Sequence, residues 1–442
     1  MSINIPAPHK SYEIELPQNT ALDRPRFTDL KEDSKGNVRV LNTNQNLADL
    51  ANFCSLDFRL NMMTFNNEVC DMFGNLIADS YDSINSKLIS AANIYGLPEK
   101  AINTHLVALC EQTKYHPIKL YLDGEQWDGK ERVSAVISCL NAKHEALAET
   151  VLKHWLVGCV ASIYESNFNS KLVPVLQGDQ SFRKTAFVSR FAEIIPHAFL
   201  EGAALNPDDK DSVLSCIRSF IVELGELERT SKNSQGSLKA FITNKVDTVR
   251  PPYARLDIKK PRQTHFIATV NGSEFLKDET GSSRFAVIEM EQAANMDKLN
   301  ELLGWHYDGT GSLKQVDESQ LKQFWLEVKH LYLSGYGWML KDEDLQQIAK
   351  LNDSYQDKGF AYSYIYDNYI APASKIDFAN EIDRPQCING WFSAGELIYE
   401  DKKLNSYTSG VVGKALRQLS REDYLQAKKA GGNQTRYKLS SN

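Results

Sequence analysis

Residues 172–185 read LVPVLQGDQSFRKT, and this stretch decides the predicted fold. It begins with an apolar run short enough for one buried strand, turns at Gly178, and continues in a helical pattern. Helical segments also separate three later apolar runs: FIVEL (220–224), THFIATV (264–270) and RFAVIEM (284–290). Strands that alternate with helices are typical of a largely parallel sheet. The sequence therefore predicts an α/β fold with such a sheet over about residues 170–295.

Length and composition indicate an ordinary globular protein with several compact units. The chain has 442 residues, about three times the roughly 150 residues of a single domain. Its 42% hydrophobic and 24% charged residues exclude fibrous and disordered classes. The seven cysteines lie far apart without a CxxC pair, which favours buried free thiols over a zinc site.

The charge and the amino terminus bear on partners and location. A net charge of −7 argues against an evenly cationic surface for nucleic acid, although it does not exclude local basic stretches. The first residues lack the basic and apolar regions of a signal peptide. No stretch approaches the roughly 18 apolar residues of a membrane-spanning helix. We therefore expect a cytoplasmic protein with no membrane partner.

Changes in the residue pattern divide the chain into four regions. Residues 1–80 are polar and predict a small leader domain of unclear role, and residues 81–167 have the apolar spacing of helices. The strand-bearing region covers residues 168–340. Residues 341–442 predict a linker helix, two further helices and two short strands around Gly431 and Gly432, which is the order of a winged helix.

The turn after the first strand matches the phosphate-binding pattern GxxxxGK[ST] at Gly178, Lys184 and Thr185. Backbone N–H groups of such a loop cradle phosphates, while the lysine reaches the β and γ phosphates and the hydroxyl holds Mg²⁺. Arg183 stands where the pattern has glycine, so we expect a distorted loop or an additional charge at the phosphates. An ordinary strand–turn–helix junction is the alternative. The predicted cofactors are ATP and Mg²⁺, and the predicted ATP-binding residues are Gly178, Asp179, Gln180, Ser181, Phe182, Arg183, Lys184 and Thr185.

Polar side chains near the ends of the later strands complete a candidate catalytic set with Lys184. Glu223 lies near the end of FIVEL and Glu226 follows three residues later, where a carboxylate holds Mg²⁺ or polarises the attacking water. The sequence leaves open which of the two holds the metal. Asn271 follows the third strand and could orient that water, and Arg284 at the fourth could supply charge to a neighbouring subunit's transition state. Each alone also fits a solvated strand-end group, but their order favours an ATPase.

From about residue 81 to residue 332 the chain resembles the virulence-associated E (VapE) family, found in prophages and phage-inducible chromosomal islands. The matching motifs are WDGKER (127–132), PVLQGDQSFRKT (174–185), IVELGEL (221–227), SLKAFITNKVDTVRPPYAR (237–255), FIATVN (266–271) and FLKDETGSSRF (275–285). The ATPase core of this family is similar to that of superfamily 3 helicases within the AAA+ class. The resemblance implies a P-loop ATPase core, a preceding helical collar for oligomerisation and a bacterial host. The family normally has glycine at the position of Arg183, and this departure concerns the rate of hydrolysis more than the fold.

The segment 244–262 is a candidate DNA-binding hairpin. It carries six basic residues against only Asp247 and Asp257. In superfamily 3 enzymes a hairpin that grips single-stranded DNA precedes the asparagine-bearing strand, and this segment resembles it in position. Cations there would bind phosphates and a tyrosine would stack on a base. A solvated loop at a subunit interface is the alternative. The predicted contacts are Arg250, Tyr253, Arg255, Lys259 and Lys260.

The C-terminal region is a second basic stretch in an acidic protein. On the winged-helix interpretation Lys414 and Arg417 lie on the helix that enters the major groove, and Lys428 and Lys429 border the wing. This arrangement predicts binding to duplex DNA at an origin. A winged helix used only for protein contacts is the alternative.

Together these features predict an ATP-dependent DNA helicase that initiates replication of a phage satellite or prophage-like element and translocates on single-stranded DNA. The expected partners are single-stranded DNA, origin duplex DNA and other copies of the chain in a ring, with six subunits as the expected number. A separate primase or host replication proteins are further candidates. The alternative, which Arg183 favours, is an origin-binding oligomer that uses ATP as an assembly cofactor with little hydrolysis.

Overall fold

The computed structural model describes residues 24–74, 76–77, 81–225, 227, 232–249, 257–272, 275–276, 284–356, 358–371, 385–430 and 434–440. They form two compact units. The first contains the described residues up to Gly272 together with residues 284–348. The second contains residues 275–276 and the described residues from Ala349 onward.

The amino-terminal part of the first unit has its own apolar core, to which Leu47, Leu88 and Ile102 contribute. The strands Leu56–Asn61, Asn67–Asp71 and Lys114–Tyr115 form a small sheet in which Leu56–Asn61 is central. The elements are β1 (Leu30–Glu32), β2 (Val38–Val40), α1 (Asn44–Phe53), β3 (Leu56–Asn61), β4 (Asn67–Asp71), α2 (Tyr81–Tyr95), α3 (Lys100–Gln112) and β5 (Lys114–Tyr115). Helices α2 and α3 therefore share a core with the leader region.

The rest of the first unit is built on the parallel sheet. Its elements are α4 (Pro117–Asp123), α5 (Val133–Ser138), α6 (Glu145–Tyr164), β6 (Val173–Gln177), α7 (Lys184–Ala192), β7 (Phe199–Ala203), α8 (Lys210–Ile217), β8 (Ile221–Leu224), α9 (Lys232–Ile242), β9 (Val246–Val249), β10 (Ile258–Pro261), β11 (His265–Val270), β12 (Phe285–Glu289), α10 (Met296–Leu303), β13 (Trp305–Tyr307), β14 (Leu313–Gln315) and α11 (Glu318–Leu333). A second core packs α4 to α7, α10 and α11 against the sheet, with Trp155, Phe187 and Trp325 at its centre. The sequence-based boundaries at residues 80 and 167 each fall inside one of the two cores, because burial partners are not encoded locally.

The five strands of the main sheet run in the order β12–β6–β11–β8–β7, and every neighbouring pair is parallel. The four strands predicted from apolar runs are all present. The fifth, β7 at the edge, was not predicted, because its sequence FLEGA is half-exposed and lacks an apolar run. The order places β11 between the strand before the phosphate loop and the strand that bears Glu223.

Helix α6 is long and apolar enough to cross a membrane by length and composition alone, which corrects the expectation that no stretch approaches that limit. Its most apolar window is 67% buried inside the protein. Trp155 donates its indole N–H to the backbone oxygen of Phe266 over 3.0 Å, tying the helix to β11. A helix that is apolar on all sides is suited to such a position, so its apolar character is explained by packing.

The second unit holds the two helices and the hairpin predicted for the C-terminal region. The elements from the end of the first unit onward are α12 (Asp342–Asp353), α13 (Phe360–Ile365), α14 (Ala394–Glu400), α15 (Ser409–Arg421), β15 (Leu425–Ala430) and β16 (Gln434–Leu439). Ser393 and Glu396 form a reciprocal capping box at the start of α14. The hairpin strands are antiparallel, and Phe392 makes a further antiparallel bridge to Tyr437. Leu397, Leu416 and Tyr437 lie in the core of this unit.

Candidate nucleotide site

The loop between β6 and α7 combines a helix amino terminus with left-handed backbone. Ser181 has φ 73° and Arg183 has φ 62°, and α7 begins at the next residue. Such turns direct successive backbone N–H groups to one side, and the first N–H groups of a helix have no partner within it. The side chains of Asp179, Gln180 and Arg183 are exposed. The loop therefore has two features that anion-binding loops share, a helix amino terminus and left-handed backbone, although it lacks the expected glycine.

Gly178 is needed because of its neighbour within the loop. A Cβ atom at this position would lie 2.8 Å from Cδ2 of Phe182 and 3.2 Å from Cβ of Met290. The ring of Phe182 is half-buried and packs against the second core. Steric contact with this ring thus explains the first glycine of the motif.

Lys184 joins the loop to the tip of β11. Its ammonium group donates to the backbone oxygens of Gly178 (2.7 Å) and Asp179 (2.9 Å) and to Oδ1 of Asn271 (2.8 Å). The side chain of Lys184 is 7% exposed. Two residues predicted from separate stretches, Lys184 and Asn271, are therefore in direct contact.

Glu223 is held beside Thr185 at the same edge of the sheet. Its Oε1 accepts hydrogen bonds from the hydroxyls of Thr185 (2.7 Å) and Thr269 (2.5 Å). Its Oε2 accepts the backbone N–H of Gly202 over 2.9 Å. Glu223 is 2% exposed, and its partners come from three different elements. The carboxylate is consequently fixed in orientation.

Thr269 and Gly202 are site residues that sequence reasoning missed. Thr269 stands two residues before Asn271, so strand alternation places both on the same side of β11, and that spacing was a usable signal. Gly202 lies on the unpredicted strand β7 and gave no signal. Glu226, the second candidate carboxylate, lies outside the described residues.

Arg284 lies at the opposite end of the parallel strands from this cluster, where the strands begin. It immediately precedes β12, and Phe285 pairs with Val173 at the start of β6, whereas the phosphate loop follows the end of β6. The length of a five-residue strand, roughly 15 Å, separates the two ends. Its Nε atom is buried without a hydrogen-bond partner in the described part of the chain. Arg284 is thus not assembled with Lys184 within one subunit.

The candidate DNA-binding hairpin is described at its base only, because Arg250, Tyr253 and Arg255 lie outside the described residues. Strands β9 and β10 are antiparallel. Lys259 is exposed, whereas the adjacent Lys260 is 2% exposed. Successive residues of a strand point to opposite faces, and the face of β10 that carries Lys260 is buried here while the face that carries Lys259 is exposed.

Lys260 does not fit its predicted role as a DNA contact. Its ammonium group donates to the backbone oxygens of Met63 (3.0 Å) and Ile217 (2.8 Å) and lies 5.1 Å from the centre of the Phe65 ring. Burial lowers its pKa to about 7. Lys260 therefore anchors the hairpin to the amino-terminal part of the unit. The prediction that it contacts a DNA phosphate is wrong.

We expect the Lys260→Met variant to lose a pH dependence of stability that the wild-type protein has. A lysine whose pKa is lowered in the folded state binds fewer protons than the unfolded chain between pH 7 and pH 10.5. The free energy of unfolding of the wild type should therefore rise with pH from about 7, and that rise should be smaller in Lys260→Met. Urea denaturation at pH 7, 8 and 9 measures it, with Lys259→Met as the exposed control. Parallel pH profiles for the wild type and Lys260→Met would contradict the burial of this ammonium group.

The C-terminal cations lie on one helix and one strand of the second unit. Lys414 and Arg417 are exposed on α15, whose opposite face is buried. Lys428 and Lys429 are exposed on β15, and the ammonium group of Lys428 lies 4.1 Å from the centre of the Trp391 ring. These positions are accessible from solvent, as a contact with DNA phosphates requires.

Comparison with known proteins identifies one matching family. A family model described as "Virulence-associated protein E-like domain" matches residues 122–357, which is more than half of the chain. No curated protein matches the chain. The matched region contains the whole parallel sheet and every described residue of the candidate nucleotide site.

Among solved structures, similar ones include three of the C-terminal region of NrS-1 without ligand. One structure, of residues 305–718, is 12% identical, covers 89% of this chain and 98% of that chain, and has a TM-score of 0.47. An A-form structure is 12% identical, with coverage of 89% and 99% and a TM-score of 0.43. A further A-form structure is 11% identical, with the same coverage and a TM-score of 0.44.

Proposed function

This chain belongs to the virulence-associated protein E-like family, and on that premise we propose that it is an ATP-dependent DNA helicase that initiates replication of a phage satellite or prophage-like element in the bacterial cytoplasm. Its catalytic core would be a P-loop ATPase of the superfamily 3 type within the AAA+ class. One observation carries the proposal: two hydrogen-bonded links, Lys184 to Asn271 and Thr185 to Glu223, meet at the loop end of the parallel sheet.

The residues around Thr185 fit a magnesium ion by their chemistry. Mg²⁺ prefers oxygen ligands and retains several waters, so a hydroxyl and one carboxylate are a sufficient protein contribution. Thr185 and Glu223 supply these groups within hydrogen-bond distance of each other. When bound, Mg²⁺ would neutralise charge on the phosphates. We assign Glu223 to the metal because it contacts the loop hydroxyl directly.

Lys184 and Asn271 would act on the phosphates and on water. The ammonium group now satisfies two backbone oxygens and one amide oxygen, and phosphate oxygens would replace some of these acceptors when ATP binds. Asn271 would then be released to orient a water beside the γ phosphate. Glu226 remains the candidate to accept the proton of that water.

Arg284 supports assembly into a ring. Because it lies at the other end of the parallel strands from its own phosphate loop, it could reach a γ phosphate only in a neighbouring copy. An arginine supplied in this way stabilises charge in the transition state of phosphoryl transfer. We therefore propose a homo-oligomeric ring, with six subunits as the expected number.

Two separate regions are proposed to contact DNA. Lys259, together with Arg250, Tyr253 and Arg255, would hold single-stranded DNA through phosphates and base stacking. The exposed cations of α15 and β15 would bind origin duplex DNA. A separate primase or host replication proteins are further proposed partners.

The second candidate function is an origin-binding oligomer that uses ATP for assembly with little hydrolysis. The observation that favours it is Arg183, which takes up left-handed backbone in place of the expected glycine. The two functions differ in turnover, because the helicase must hydrolyse ATP faster when single-stranded DNA is present.

The Glu223→Gln variant tests the proposed site. We expect ATP binding to persist and steady-state hydrolysis to fall at least roughly 100-fold, with a higher Mg²⁺ requirement, because the amide keeps the shape but loses the charge. ATP turnover with and without single-stranded DNA is the measurement, and Glu301→Gln on the exposed face of α10 is the control. Unchanged turnover in Glu223→Gln would remove the metal assignment. A wild type that binds ATP and assembles, yet shows no DNA-stimulated turnover, would favour the second function.

A further inference from the structure

Arg183 raises a physical question about how the phosphate loop keeps its conformation. A residue with a Cβ atom adopts φ above zero in only a few per cent of cases, whereas glycine adopts it readily. Arg183 has φ 62°, and its side chain makes no capping hydrogen bond. Something other than the local preference of residue 183 must therefore hold the loop.

The residue before it is fixed by three contacts. The ring of Phe182 sits over Gly178, closely enough that no Cβ atom fits between them, and packs against the second core. The backbone oxygen of Phe182 accepts the N–H of Ala294 over 3.0 Å, and its own N–H donates to the backbone oxygen of Asp179 over 3.3 Å. The backbone on the amino-terminal side of Arg183 is thus held by both a side chain and the main chain.

The segment that holds Phe182 is itself anchored. The side-chain amide of Asn141 donates to the backbone oxygen of Ala293 over 2.7 Å. The N–H of Asn295 donates to the backbone oxygen of Cys139 over 2.8 Å. The segment 293–295 is therefore bonded to the connection between α5 and α6, so it is a fixed support for the loop.

On the other side, Arg183 is held by α7. Its backbone oxygen accepts the N–H of Phe187 over 2.9 Å, as the first hydrogen bond of the helix. With both of its neighbours fixed, residue 183 has little choice of backbone conformation.

We propose that Phe182 is a positioning residue that imposes the anion-binding backbone on the loop and so compensates for the missing glycine at position 183. The inference rests on the proposed function, because it concerns nucleotide affinity at that site. The apparent affinity of a site falls in proportion to the fraction of molecules in the binding-competent conformation. Loosening Phe182 should therefore weaken nucleotide binding when residue 183 is arginine, but much less when it is glycine.

A double-mutant cycle on the full chain tests this prediction, with Mg·ADP as the probe and isothermal calorimetry as the measurement. We expect Phe182→Ala to raise the dissociation constant roughly tenfold or more. In the Arg183→Gly background the same change should raise it less than about threefold, because glycine reaches φ above zero unaided. Phe182→Leu, which keeps an apolar side chain, serves if the alanine variant does not fold.

Phe187→Leu is the matched control, since it removes part of a fully buried ring one turn into α7 but keeps the backbone hydrogen bond to Arg183. It should lower thermal stability, and any effect on ADP affinity should be the same in the wild-type and Arg183→Gly backgrounds. If Phe182 only stabilised the fold, Arg183→Gly would not restore ADP affinity to Phe182→Ala selectively. We expect it to restore affinity to Phe182→Ala and not to Phe187→Leu.

The remaining outcomes distinguish a failure of the proposed compensation from a failure of the proposed function. If Phe182→Ala weakens ADP binding equally in both backgrounds, or in neither, the compensation is wrong while the nucleotide site stands. If neither the wild type nor Arg183→Gly binds Mg·ADP, the proposed function itself fails.

Discussion

Replacing Lys184 with alanine is expected to leave a folded protein that has lost most of its ATP turnover. The ammonium group is the cation at the centre of the site, and its acceptors include oxygens of the loop and of Asn271. Water cannot replace its charge on a triphosphate, and each lost charge-assisted contact costs a few kcal/mol in the transition state. Turnover should therefore fall by roughly 100- to 1,000-fold.

The measurement is steady-state phosphate release at saturating ATP, together with circular dichroism to show that the variant is folded. Lys171→Ala is the matched control, because Lys171 is exposed just before β6 and takes no part in the cluster. Turnover like that of the wild type in Lys184→Ala would show that ATP is hydrolysed elsewhere or not by this chain.

Replacing Asp247 with alanine should destabilise the first unit by about 3–5 kcal/mol, since it leaves a buried charge without its partner. Asp247 and Arg262 form two hydrogen bonds of 2.5 and 2.8 Å, with only 3% and 5% of their side chains exposed. The guanidinium group also lies 4.3 Å from the centre of the Phe241 ring, and Lys260 is buried on the adjacent strand. Without the carboxylate, the guanidinium group of Arg262 would remain buried at the base of the hairpin with no opposite charge beside it.

Urea denaturation of the wild type, Asp247→Ala, Arg262→Met and the double variant measures this coupling. We expect the double variant to regain much of the lost stability, because it removes the uncompensated charge as well as its partner. Destabilisation of less than about 1 kcal/mol in Asp247→Ala would show that the pair is solvated in solution. A buried ion pair would fix the base of the hairpin and, with it, the position of the exposed Lys259 on β10.

The local sequence was sufficient to predict four strands of the parallel sheet and the strand ends that carry the candidate site residues. Four apolar runs marked four strands of the parallel sheet, and Gly178, Lys184 and Thr185 marked the loop. These features are local, because a buried strand needs a continuous apolar run and an anion-binding turn needs particular residues at fixed spacing. The placement of Asn271 at a strand tip followed from the same pattern.

Tertiary structure decided which of these residues meet. The position of β11 between β6 and β8 brings Asn271 to Lys184 and Thr269 to Glu223, and an edge strand without an apolar run supplies Gly202. Strand order is a property of the whole sheet, so no stretch of sequence records it.

Burial is the other property that only the tertiary structure determined. A count of basic residues treats Lys259 and Lys260 alike, yet the pleat of β10 exposes one and buries the other against Met63, almost 200 residues earlier in the chain. In the same way, the left-handed backbone of Arg183 is opposed by its local preference and is held by contacts of Phe182 with distant residues. Composition and spacing thus determined what kinds of groups the chain has. Long-range packing decided which of them face solvent, because the free energy of burial depends on partners far away in sequence.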